Sequence, residues 1–231
     1  MSEREYVMLN PSTLLNPTPV VLVSCGEKGR PDNRDLVTVA WAGTVNSEPP
    51  MVSVSLRKER YSHGLISSSG EFVVNLVDEA LAKATDFCGV RSGRDVDKAA
   101  ELGLKLLPAE GLETAPRVDG APVSLHCRVR QVIPLGSHDM FLGEVKAVTV
   151  RKDLLDEKGA LHLEKAGLIA YSHGLYHRLG EVMGFFGWSV ARPEVLEKRM
   201  GEYRKYQRSV PEQTKQNGNT QESRGSLLNR G

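Results

Sequence analysis

Between Pro49 and Arg57 the chain alternates in type: Val52, Val54 and Leu56 are apolar, while Ser53, Ser55 and Arg57 are not. In an extended strand successive side chains point to opposite faces, so one face buries and the other lines up two hydroxyls and a guanidinium. A solvated outer face explains that pattern on its own. The residues that follow add a second explanation. Tyr61-Ser62 leads into His63-Gly64-Leu65-Ile66, where Ser62 is a candidate N-cap. A helix start offers free amides and a partial positive charge. Arg57 and a capped helix a few residues apart are suited to gripping a phosphate, with Arg57 giving paired hydrogen bonds.

Other chemistry-bearing residues are more scattered. Thr38-Val39-Ala40-Trp41-Ala42-Gly43 sets one large aromatic among small residues, which lets a flat ligand approach the backbone; a core or interface tryptophan is the alternative. Of the six histidines, His138 follows Gly136-Ser137 at a hairpin mouth, a place to meet substrate or simply solvent. His173 and His177 have helical i, i+4 spacing, but Gly174 and Gly180 interrupt the stretch, and no metal is expected. Cys88 has Arg91 close by, as a reactive thiol would want, although most free cysteines are buried hydrophobes. No serine-hydrolase elbow, P-loop or Gly-x-Gly-x-x-Gly turn is present.

The elements that must position these residues read mostly as strands. Runs at 19–24, 36–45, 51–57, 71–76, 123–133 and 140–150 are β-branched or alternating, and Pro134-Leu135-Gly136-Ser137 joins the last two. Helical pattern is confined to 79–87, 95–102 and 193–208. Many strands with few helices suggest a closed or half-closed barrel with peripheral helices. Tyr-Ser-His-Gly-Leu occurs at 61–65 and again at 171–175, but the flanks differ and the repetition reads as coincidence.

The 231 residues suit one generous domain, or one domain and a tail. The net charge of +1 gives no general attraction to nucleic acid or to an anionic membrane. Three well-separated cysteines without a Cys-x-x-Cys pair fit a reducing compartment. With no visible signal peptide or apolar span, the expected location is the cytoplasm. The stretch after Val210 is polar, Gln- and Asn-rich, and reads as a disordered tail over 210–231.

Taken together, and in this order, Asn16 to Val20, Val37 to Trp41, Pro49 to Arg57, Tyr61-Ser62 and Gly70 to Leu76 resemble the flavin reductase-like family of FMN-binding split barrels, flavoredoxin branch. Cys88-Gly89, Ser92-Gly93 to Lys98, Ala115-Pro116, Leu125 to Cys127, Gly136 to His138 and Phe141 to Val145 continue the likeness. Tyr176 to Gly180 and Gly184 to Gly187 resemble its C-terminal signature.

The resemblance implies a mainly β fold, a six-stranded Greek-key split barrel with peripheral α-helices. It implies a domain over 1–191, a C-terminal helix over 192–209, and a homodimer holding FMN near its interface. On that resemblance Thr38, Val39, Ala40 and Trp41 line the flavin ring, and Ser53, Val54 and Ser55 flank the ring and its side chain. Arg57 and Ser62 hold the phosphate. Cys88, Ser92 and Lys98 lie in a helical insert that closes over the cofactor, and His138 faces the incoming nicotinamide or substrate. The implied chemistry belongs mainly to the flavin, with NAD(P)H or a redox protein as electron source. A flavoredoxin-type electron carrier without nicotinamide activity, and a split barrel that binds a flat ligand without redox chemistry, are the other two readings.

Overall fold

A computed structural model describes residues 4–209. The expected tail, 210–231, lies outside the described residues. The chain forms two units, one ending at Leu179 and one beginning at Gly180. The division expected from the sequence was a domain over 1–191 followed by a helix over 192–209.

The first unit is built on twelve strands and three α-helices. The strands are β1 (Thr18–Pro19), β2 (Val21–Glu27), β3 (Arg30–Val39), β4 (Ala42–Ser47), β5 (Pro50–Arg57), β6 (Glu71–Leu76), β7 (Leu106–Leu107), β8 (Arg117–Val118), β9 (Val123–Pro134), β10 (His138–Val150), β11 (Ile169–Ser172) and β12 (Leu175–Arg178). The helices are α1 (Tyr61–Ser69), α2 (Ala82–Val90) and α3 (Lys98–Glu101). Seven strands form one antiparallel sheet in the order β3-β2-β6-β9-β10-β5-β4.

One apolar cluster gathers Val23 (β2), Val37 (β3), Val54 (β5), Phe72 (β6), Cys127 (β9) and Phe141 (β10) with Leu65 and Ile66 of α1. Strands from both ends of the sheet therefore bury side chains in one core, so the sheet curls around it and stays open. This is a split barrel, with six strands around the core. The seventh, β4, is exposed along nearly its whole length. It is separate because the expected run 36–45 breaks at Ala40-Trp41, where the chain leaves β3 and turns to pair with β5.

A second cluster, with Leu22, Leu36, Leu81, Cys88 and Val118, packs on the outer side of β2 and β3. That explains why β2 is buried on both faces and lacks alternation. The expected helix at 79–87 starts as a 3-10 turn at Glu79–Leu81, capped by the Asp78 carboxylate, and continues as α2. The helix expected at 95–102 shrinks to α3, because Asp97 caps it by accepting from Ala100 N at 3.1 Å. In the second unit a 3-10 turn at Trp188–Val190 precedes α4 (Pro193–Ser209), and the Arg199 guanidinium stands 4.1 Å over the Phe185 ring. Among the described residues no helix is long and apolar enough to cross a membrane.

Candidate functional site

The open seam of the barrel lies where β3, at one sheet end, comes near β5. A cleft of about 160 Å³ opens there, lined by Val37 to Trp41, by Ser55 to Arg57, and by Arg60 and His138. A larger and more apolar hollow of about 420 Å³ adjoins it and shares Ala40, Trp41 and Ser55. Its other walls are Ser12 to Leu15, Thr18, Ala42, Gly43 and Ser53. Trp41 stands between the two, 46% exposed. Its carbonyl accepts from Ser55 N at 3.0 Å, which ties the β3–β4 connection to β5.

The alternation read in β5 is present. Val52, Val54 and Leu56 enter the core, and Ser53, Ser55 and Arg57 lie on the other face. His138 opens β10 directly opposite Arg57. Its ring lies 4.6 Å from that of Trp41, with planes tilted by 41°. Burial, and next the Arg57 charge, hold its pKa below the ordinary 6.5, against an opposing pull from Glu59. The tight turn before it brings Ser137 Oγ within 2.9 Å of His138 Nδ1.

Several expected residues take other roles. Ser62 does not cap α1; Arg60 occupies the N-cap position without a side-chain cap bond. Ser62 is the second helical residue, is 1% exposed, and donates its hydroxyl to Asp35 Oδ2. Its side chain is therefore not available to a phosphate. Lys98 is equally committed: Nζ sits 3.0 Å from Asp35 Oδ1 and donates to the Leu36 carbonyl. Cys88 is fully buried in the outer cluster, and desolvation raises its thiol pKa to about 11, so it is no nucleophile. Ser92 accepts from Arg94 N at 3.2 Å within its own turn and is not among the cleft residues. Val39 lines the cleft through backbone alone, because its side chain is in the core, whereas Val54 is buried in the core and lines neither the cleft nor the hollow. Thr38 likewise offers backbone, since its hydroxyl donates to the Thr85 carbonyl of α2. The helical insert thus packs behind β3 and does not close over the cleft.

Arg60 is the residue that strand alternation missed. It follows Arg57 by one tight turn, Arg60 N donating to Arg57 O at 3.1 Å, and both line the cleft. Arg57 and Arg60, not Arg57 and Ser62, are thus the pair that lines this end of the cleft beside the start of α1. The spacing of two arginines around Lys58-Glu59, just before a helix, was the available signal. The paired histidines at 173 and 177 belong to a hairpin, not a helix, and among the described residues no group of His, Cys, Asp and Glu is arranged to hold a metal ion.

In chemical terms the seam offers a backbone strip beside small side chains and one tryptophan, with a cationic end. A flat ring carrying a chain that ends in one anion fits this donor set, and FMN has that form.

The chain is similar to several known proteins. The flavoredoxin of Desulfovibrio vulgaris (Miyazaki F) is 30% identical, with TM-score 0.72 over 78% of this chain and 97% of its own. The flavoredoxin of Methanosarcina acetivorans is 28% identical, with TM-score 0.73 over 81% of this chain and 100% of its own. The FMN reductase (NADH) RutF of Stutzerimonas stutzeri is 29% identical over 54% of this chain and 69% of its own length. For other relatives the covered share of the relative falls to 50%. The model named "flavin reductase like domain" matches residues 14–180, which contain the whole barrel, the seam and its arginines. The chain therefore belongs to the flavin reductase-like family, in its flavoredoxin branch.

Proposed function

We propose that the protein is an FMN-dependent oxidoreductase that takes electrons from NAD(P)H, and that it works as a homodimer in the cytoplasm. The observation that carries the reading is the meeting of Arg57 and Arg60 with the Val37–Trp41 backbone strip in one cleft at the barrel seam. Bound there, FMN would supply hydride and single-electron chemistry. The chain's own share is to hold the phosphate with Arg57 and Arg60 and to seat the ring beside Trp41, Ser53 and Ser55. His138 packs on Trp41, where a neutral imidazole can orient an incoming carboxamide or ring carbonyl. No side-chain nucleophile is needed, which accords with three buried thiols.

A second reading is favoured by the likeness to two flavoredoxins. In it the electron source is another redox protein and nicotinamide is not used. One experiment separates the two. The FMN-loaded protein is mixed anaerobically with NADH and with NADPH while the visible flavin absorbance is followed. Bleaching within seconds to minutes supports the reductase; persistence of the colour with both nucleotides, but loss with dithionite, supports the electron carrier. Failure to take up FMN at all defeats both.

A further inference from the structure

Asp139 follows His138 in β10, and the site described so far gives it no task. Its side chain is only 13% exposed. Oδ2 lies 2.9 Å from Nε2 of His63 in the first turn of α1, whose ring meets Phe141 edge-on at 5.1 Å. Oδ1 is shut off from solvent and makes no hydrogen bond among the described residues. Its compensation is the Lys58 ammonium, 3.4 Å away. One carboxylate thus joins β10, the β5–α1 turn and α1. The His63 hydrogen bond, chiefly, holds the Asp139 carboxyl below its ordinary pKa against the opposing effect of burial.

The joined turn is the one that carries both arginines. Arg60 N donates to Arg57 O, and His63 N to Arg60 O, each at 3.1 Å. Arg57, Arg60 and His63 are therefore successive steps of one hydrogen-bonded path. Arg94 Nη1 also donates to Glu59 O in the same turn, at 2.7 Å. Arg57 itself has little to hold it: it is 56% exposed, and its ion-pair partner is Glu59 at 3.4 Å, itself 66% exposed. Exposed pairs of this kind order a side chain weakly.

We propose that Asp139, clamped between His63 and Lys58, is a positioning residue that fixes the β5–α1 turn so that Arg57 and Arg60 converge on the phosphate of FMN. The inference rests on the reading of the seam as an FMN site. It carries a sign that simple electrostatics does not share. A carboxylate next to an anion site repels the anion, so removing its charge should by Coulomb's law tighten FMN. Removing a positioning group should weaken it, because the two arginines must then be ordered at the expense of binding.

The test compares FMN with riboflavin, which has the same ring and no phosphate, by fluorescence titration of Asp139→Asn, Arg57→Ala and the double variant. The expected result for Asp139→Asn is FMN weakened about three- to tenfold, the scale of one net hydrogen bond, with riboflavin unchanged. In the double variant Asp139→Asn should add less than its full factor, because both changes act on one grip. FMN binding that is unchanged or tighter in Asp139→Asn, while Arg57→Ala weakens it, overturns the inference alone. Parallel loss of both ligands means a merely structural role and also overturns it. Unchanged FMN binding in Arg57→Ala overturns the site reading and the inference with it. Should Asp139→Asn not fold, His63→Leu against His63→Gln decides: the loss should appear with Leu and be rescued by Gln, and equal loss in both refutes the clamp.

Discussion

At the scale of single residues, the seam divides its labour between fixed charge and a neutral ring. Arg57 is exposed and weakly held, so a bound phosphate would be its strongest partner. A charge-assisted bond of that kind is worth roughly 1.5–3 kcal/mol. Arg57→Ala should therefore raise the FMN dissociation constant at least about tenfold in a fluorescence titration. An unchanged constant would return Arg57 to the solvent. His138 makes the complementary case. Its pKa is held below 6.5 by burial and by Arg57, so the proton goes on only at more acidic pH than for a free histidine. Flavin reduction should then be flat from about pH 7 upward and change only on the acid side, below the ordinary histidine value. His138→Ala should remove that acid limb and slow reduction at low reductant in stopped flow, with FMN affinity nearly intact. An acid limb that survives the substitution assigns it to another group. These two residues were legible because strand alternation and a Gly-Ser turn place them without knowledge of the fold. The partners of Ser62 and Lys98 were not legible, for the opposite reason. The group that claims both Ser62 and Lys98 is Asp35, and nothing local in the sequence announces that meeting.

At the scale of elements, the Asp35 meeting is what fastens the site from behind. Asp35 of β3 takes Ser62 of α1 on one oxygen and Lys98 of α3 on the other, with both ionised groups almost fully buried. Gly93 packs so closely that a Cβ there would clash with Asp35 Oδ1. Removing one partner of a buried pair leaves an uncompensated charge and typically costs about 3–5 kcal/mol. Lys98→Met should lower stability by that order in urea unfolding, and a loss below about 1 kcal/mol would show that water reaches the pair. The three thiols are predicted to resist alkylation at pH 8 until the chain unfolds. Burial raises Cys88 to about 11 and Cys127 to about 12, and raises Cys25 further still. Rapid labelling of the native protein would contradict that packing. The repeated pentapeptide shows how far local sequence reaches. At 61–65 it begins α1, which ends at Gly70 in the left-handed region. At 171–175 the same five residues turn a hairpin, with His173 at φ 47° and Gly174 at φ 86° between paired Ser172 and Leu175. Neighbouring strands decide between the two, and a single-sequence reading contains no such neighbours. For the same reason the β3–β4 break was invisible: Ala40 and Trp41 continue the strand composition, and only pairing with β5 turns the chain.

At the scale of the whole molecule, the seam stands beside the sheet's exposed end. β4 is the terminal strand, and a bare edge of this kind invites pairing. Near it lie Trp41 at 46% exposure, Val45 at 49% and Leu15 at 88%, a set of apolar side chains that a lone chain leaves in water. A second copy over this face would cover the edge and wall in the hollow beside Trp41. If the partner helps to enclose the flavin, association and FMN binding must strengthen each other by the same factor, because linkage is reciprocal. Sedimentation should therefore give a species of twice the chain mass at micromolar concentration, and saturating FMN should shift the equilibrium further toward it. Val45→Lys places a charge on the face, and should both loosen the dimer and weaken FMN, although Val45 touches neither the arginines nor the seam cleft. Arg57→Ala should remove the FMN-induced shift and leave the dimer formed without FMN as it was. A chain that sediments as a monomer with and without FMN would rule out the shared site. A dimer that forms equally well in Val45→Lys would move the interface to another face of the barrel.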